Sequence, residues 1–200
     1  MDATEKIYQA DATLPSPAAS ATLTAAQNEF EAFQVVVKGP ATNVSLTAHA
    51  LTGPGGAQIA PSTAGHQGNI MVYREVFFSL PGSGKATDPS AKEGNAPDAL
   101  VPQYDEFYQE ARNAGVTSVA AGQNVVFFVD IQVPQAAAPG LYTGSVTVNY
   151  NGTTAAVPVS LTVWPFALPS TPHLKTFIPF EWDAATLQYP SLSGKTLATV

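Results

Sequence analysis

From Val125 to Leu168 the chain alternates apolar and polar residues with a period of two. Val125, Phe127, Val129, Ile131 and Val133 fall on one face of an extended strand. Tyr142, Gly144, Val146, Val148 and Tyr150 do the same against Thr143, Ser145, Thr147 and Asn149. After Asn151-Gly152 the phase resumes with Ala155, Val157, Val159, Leu161 and Val163. A helix would need a period near 3.6, so this stretch reads as strand. Asn-Gly suits a two-residue type I′ turn, in which both central residues take positive φ. The segment is therefore expected to be a β-hairpin preceded by a third strand, each half buried and half solvated.

The remainder of the chain agrees in kind. Phe33, Val35 and Val37 predict a strand from about Phe30, stopped by Gly39-Pro40. Val44, Leu46, Ala48 and Ala50 predict another, before the turn at Gly53-Pro54-Gly55-Gly56. Ile70 to Leu80 is apolar on both faces and suits a central strand. Ile7-Tyr8 is a candidate sheet-edge segment, after which Pro15 and Pro17 break any ladder. Pro81 to Ala99 reads as a long loop, and Tyr104 to Ala114 as one or two helical turns. The two prolines of Trp164-Pro165-Phe166-Ala167-Leu168-Pro169 are expected to end the last strand. Seven or eight short strands with turn signals between them predict an all-β fold. The expected architecture is an antiparallel β-sandwich, immunoglobulin-like or jelly-roll-like, over residues 1–170. Residues 171–200 are left as an orphaned segment in which His173 to Phe180 starts a new apolar strand.

Composition excludes several functions. Lys and Arg number 8 in 200 residues and the net charge is −7, so no basic groove exists for a nucleic acid. An anionic membrane surface is disfavoured for the same reason. With no cysteine, disulfides, thiolate catalysis and Cys-type zinc sites are ruled out. No run approaches the ~20 apolar residues of a membrane-spanning helix. MDATEKIYQ lacks the charged-then-apolar pattern of a signal peptide. It fits either a cytoplasmic protein or a mature N-terminus, and we expect the latter. Charged residues make up 12% of the chain, about half the usual share.

Five segments in order support a family reading: NEFEAFQVVV (28–37), YREVFF (73–78), PDALVP (97–102), VVFFVDIQVPQAAAPGLYTGSVTV (125–148) and LTVWPFALPSTPHLKTFIPF (161–180). Together they resemble the N-terminal domain of glycoside hydrolase family 123 and its relatives of unknown function. The resemblance implies a secreted or cell-surface bacterial protein concerned with glycans, with a β-sandwich ahead of a catalytic (β/α)-barrel. It implies that residues 171–200 begin that barrel. In the family an adjacent Asp-Glu pair of the barrel does the chemistry, assisted by the substrate's acetamido group. No such pair carries over, and Asp105-Glu106, lying in the sandwich, is not given that role. The expectation is a non-catalytic accessory domain whose partner is the barrel. The alternatives are an autonomous carbohydrate-binding module that holds polysaccharide and a ligand-free adhesion or scaffold sandwich.

A glycosidase site takes two carboxylates about 5–10 Å apart. Glu29, Glu31, Glu75, Asp105, Glu106 and Asp130 are available, and Glu75 beside Arg74 in a buried-looking strand points to a structural ion pair between Arg74 and a glutamate. His49, His66 and His173 lack metal-site spacing. Asp88, Glu93, Asn95 and Asp98 in the 81–99 loop are oxygen donors of the kind calcium takes, diluted by Lys85 and Lys92. The loop is better read as a docking element. Gly82-Ser83-Gly84-Lys85 lacks the spacing of a phosphate loop. The aromatic residues Tyr104, Tyr108, Trp164, Phe166 and Trp182 are the candidates for a domain interface or for stacking on sugar rings. Phe177 and Phe180 would extend the interface. No catalytic, cofactor-binding or metal residue is assigned.

Overall fold

The computed structural model describes residues 1–63, 66–80, 94–112, 114–171, 173–175 and 187. The chain divides into Met1–Leu168, which holds the sandwich, and Pro169–Val200.

The strands in chain order are β1 (Ala21–Gln27), β2 (Phe30–Lys38), β3 (Ala41–Ala48), β4 (Leu51–Thr52), β5 (Gln58–Ile59), β6 (Ile70–Leu80) and β7 (Gly94–Pro102). They continue with β8 (Tyr104–Asp105), β9 (Glu110–Ala111), β10 (Thr117–Val119), β11 (Asn124–Gln132), β12 (Gly140–Tyr150) and β13 (Thr153–Ala167). A seven-stranded sheet runs β1-β13-β12-β3-β10, with β4 and β5 attached beside β12. A four-stranded sheet runs β2-β11-β6-β7, and β8 pairs with β9. The all-β sandwich expected from the sequence is the architecture found.

The β12–β13 hairpin forms as its pattern dictates. Tyr150 pairs with Thr153 across Asn151 and Gly152, whose φ values of 50° and 75° are those of a type I′ turn. Tyr142, Val146, Val148, Val159, Leu161 and Val163 enter the core from one sheet, and Val125, Phe127, Val129 and Ile131 meet them from the other. Gly144 occupies an inward position because Leu51 crosses there; a Cβ would lie 2.7 Å from its Cδ2.

Five expectations need correction. First, Ala21–Gln27 is a strand, and it pairs with β13 in parallel (Ala21↔Val159, Ala25↔Val163), so the sandwich is not wholly antiparallel. Second, the last strand runs through Pro165 to Ala167. The last β12 pairing is Gly140↔Val163, and a bulge separates Ala25↔Val163 from Gln27↔Ala167, so Pro165 removes no ladder bond. Third, Gly94–Ala99, expected as part of the loop from Pro81, belongs to edge strand β7, where Pro97 and Pro102 are tolerated. Fourth, Tyr104–Ala111 is a two-stranded turn instead of a helix; Asp105 Oδ1 accepts the Phe107 and Tyr108 N–H groups at 2.9 and 3.0 Å and closes it. Fifth, β11 is not half solvated. Val126, on its outer face, is fully buried, and the reason is the N-terminal lead.

That lead, residues 1–20, is a third layer over the small sheet. Gln34, projecting outward from β2 and 3% exposed, donates from Nε2 to the carbonyls of Asp2, Ala3 and Glu5 at 3.1, 3.1 and 2.7 Å. Asn124, equally buried, donates from Nδ2 to the carbonyls of Tyr8 and Asp11 at 3.1 and 2.9 Å, and from its backbone N–H to Gln9 O at 2.7 Å. Gln9 N–H in turn reaches Asn95 O on β7 at 3.0 Å. Ile7 is completely buried. The lead is thus held by its main chain, through side-chain amides, across the sheet.

Candidate functional site

The candidate aromatics are positioned where the sandwich chain leaves its last strand. β1 and β13 end together, with Gln27 opposite Ala167. Leu168 N–H donates to Gln27 O at 2.9 Å, and Asn28 Nδ2 donates to Leu168 O at 2.9 Å. Asn28 N–H and Val133 O, 3.0 Å apart, with Val133 N–H and Glu29 O at 2.8 Å, stitch the second sheet to the same end.

Trp164 and Phe166 lie two residues apart on β13 and so project to one side. Their rings stack, with centroids 5.8 Å apart and planes inclined by 24°. They are 43% and 50% exposed. Leu141 and Leu168 are exposed close by in the pairing scheme, and Phe30, at the start of β2, is more exposed still. An apolar cluster that the sandwich's own core does not absorb marks a contact surface.

The β8–β9 hairpin is at this end too. It follows β7, whose Pro102 pairs with Tyr73, and Glu106 accepts from Ser62 Oγ at 2.5 Å and Gln67 Nε2 at 3.2 Å, just ahead of β6. Phe107 and Tyr108 project from its tip in an edge-to-face pair with centroids 4.8 Å apart. The base is cross-linked: Arg112 donates to Asp105 Oδ2 at 3.0 Å from Nε and 2.6 Å from Nη2. It also meets Glu110 at 2.6 Å and lies 5.3 Å from the Tyr108 ring centroid. Hydrogen bonds from the Tyr108 N–H and from Arg112 hold the Asp105 carboxyl below the usual range. Tyr104 differs from its companions. It is 5% exposed, with its hydroxyl 2.9 Å from Gln109 Oε1, and shows no ring face to solvent. Trp182, Phe177 and Phe180 lie outside the described residues.

The carboxylates do not form a reacting pair. Glu29 accepts the Ala26 N–H at 2.6 Å as a turn residue. Asp105 and Glu106 are adjacent but committed to different partners, Arg112 and Ser62. Burial raises the pKa of Asp130, and burial with the charges of Glu29 and Asp2 raises that of Glu31. Glu75 is the most perturbed. It is buried, its pKa is pushed up to about 7 by burial, and the charge that opposes this shift is Lys6 on the lead. Arg74, its chain neighbour, projects to the opposite face. The sequence flagged Glu75 as a charge in need of a partner but had no means of finding the lead residue that faces it.

His49 Nε2 is 2.8 Å from Thr147 Oγ1, and His66 and His173 are exposed. Among the described residues no group of three His, Cys, Asp or Glu side chains is placed to hold a metal. Of the donors proposed for calcium, Asn95 and Asp98 lie on β7, while Asp88 and Glu93 fall outside the described residues, as does Gly82–Lys85.

No protein-family model matches the chain, and no curated protein sequence does. Among solved structures the fold is similar to part of a family 123 glycoside hydrolase from Clostridium perfringens, whose structural analysis concerns glycolipid glycan hydrolysis. The TM-score is 0.55 and the identity 19%, over 75% of this chain and 24% of that one. At this identity the likeness is one of fold. The chain spans about a quarter of the length of that hydrolase.

Proposed function

We propose that this chain is the non-catalytic accessory sandwich of a secreted or cell-surface glycan-degrading hydrolase. The end bearing Trp164 and Phe166 is the face on which the catalytic barrel packs. One observation carries the reading: large apolar side chains stand exposed at the end where the polypeptide leaves β13. The fold shared with a quarter of a glycoside hydrolase supports it. So does the commitment of Glu29, Asp105, Glu106 and Glu110 to structural partners.

Two experiments test it. The 200-residue chain, incubated with an aryl N-acetylhexosaminide, is expected to give no turnover. Turnover above that of a no-protein control overturns the non-catalytic role. The gene beyond the codon for Val200 is expected to encode a (β/α)-barrel in frame; a stop codon or repeated sandwiches would favour a scaffold.

A carbohydrate-binding module is the second reading. It is favoured by the near-parallel Trp164 and Phe166 rings beside a sheet face of Thr and Ser. A glycan array separates the two, since only the module retains labelled polysaccharide and loses it with Trp164→Ala.

A further inference from the structure

The lead does more than cover a sheet, because it closes over an ionisable group. An open cleft of ≈ 180 Å³ lies between them, lined by Thr4, Glu5 and Lys6 of the lead and by Gln34, Glu75 and Asp98 of the sheet. Glu75 is 6% exposed, and Gln34 Oε1 and Asn124 Oδ1 are buried without a hydrogen-bond partner among the described residues. The side-chain amides of Gln34 and Asn124 thus donate to carbonyls of the lead, and among the described residues the cation that opposes a negative charge on Glu75 is Lys6.

We propose that residues 1–12 form a releasable strap over the small sheet. It closes when the Glu75 carboxyl is protonated and loosens when that carboxyl ionises.

The charged groups around Glu75 set the sign. Glu5 on the strap and Asp98 on β7 add negative charge to the cleft, and Lys6 opposes them. Arg74 is on the other face of β6, and Tyr73, on the same face as Glu75, is a phenol whose pKa burial raises further, so it adds no charge near neutrality. Burial wins over Lys6 and keeps the carboxyl protonated up to a pH of about 7. In the open strap the carboxyl meets water and returns toward its ordinary value. The closed form thus binds the extra proton, and closure weakens as pH rises through neutrality. What opening uncovers is the outer face around Val126, Gln34 and Phe128, together with the donors of Gln34 and Asn124.

Backbone hydrogen exchange on the full chain tests this. The reporters are the N–H groups of Gln9, Gln34 and Asn124, each bonded to or within the strap. Val146 and Leu161, in the other sheet, serve as controls. After correction for intrinsic rates, reporter protection is expected to fall by up to about tenfold between about pH 6 and about pH 8 relative to the controls. In Glu75→Gln it stays flat at the high, closed value. In Lys6→Ala the Glu75 carboxyl titrates higher, read by carboxyl NMR, and the fall in protection extends to correspondingly higher pH. Gln34→Ala opens the reporters at every pH and keeps the proposal testable if the Glu75 variant does not fold. Reporter protection independent of pH in the unaltered chain overturns the proposal, as does an equal fall in Glu75→Gln.

Discussion

The two sheets distribute charge in opposite ways. None of the seven strands of the large sheet contains a Lys, Arg, Asp or Glu, yet its outer face is the one left to solvent, carried by Thr24, Thr143, Thr154 and Thr162. The small sheet holds Glu31, Lys38, Arg74, Glu75, Asp98 and Asp130, yet the lead is laid over its outer face. Hydroxyls suffice to solvate a bare sheet. A covered sheet must find partners or protons for its charges, and the raised pKa values of Glu31, Glu75 and Asp130 all occur there.

The contrast is open to direct attack. The largest effect is expected on deleting residues 1–12, which removes fully buried Ile7 and the bonds to Gln34 and Asn124. A loss of at least ~3 kcal/mol in urea unfolding is expected, and a smaller loss would mean that the lead is not a structural layer. Next comes one chemical change made in both directions. Val126→Thr places a hydroxyl under the lead and costs about 1–3 kcal/mol. Thr162→Val, on the bare face, stays within about 0.5 kcal/mol. Equal effects in thermal unfolding would erase the distinction between the faces. Between these two in size stands Glu75→Gln. An acid whose folded pKa exceeds its unfolded one contributes no penalty below the unfolded value. The penalty grows between the two and is complete above the folded value of about 7. The variant should therefore match the parent below about pH 4 and exceed it by about 1–2 kcal/mol above neutrality. A gain at low pH would have the wrong sign. Smallest is Arg112→Met, which removes a donor to Asp105 and should let that carboxyl titrate higher in NMR, with the hairpin otherwise intact.

The same contrast explains what the amino-acid sequence could reveal. Strict alternation marks a strand with one wet face, so β12 and β13 were legible to the turn residue. VVFFV in β11 reads by its alternation as a strand with one covered face, and nothing nearby in the sequence says that the second is covered too. The cover lies more than a hundred residues away, and its grip is on main-chain carbonyls, which leave no side-chain pattern. Gln34 and Asn124 look like ordinary surface amides for that reason. β1 was missed because ATLTAAQ has few large apolar residues and borrows its order from β13. β7 was obscured by Gly94, Pro97 and Pro102, which an edge tolerates. YDEFYQEA reads as helix until Asp105 is seen accepting from the two N–H groups that follow. Of the aromatic candidates, Tyr108, Trp164 and Phe166 were recognisable as exposed, whereas the burial of Tyr104 depended on packing that local spacing does not encode.

The parallel ladder between β1 and β13 also imposes an order on biosynthesis. Ala21 leaves the ribosome long before Val159, its neighbour in the sheet. Until then β1 has no strand to lie beside, and both of its edges are open to other chains. Closing a loop of that length is slow and entropically costly. The polypeptide can complete its larger sheet only when nearly all of the sandwich has been synthesised.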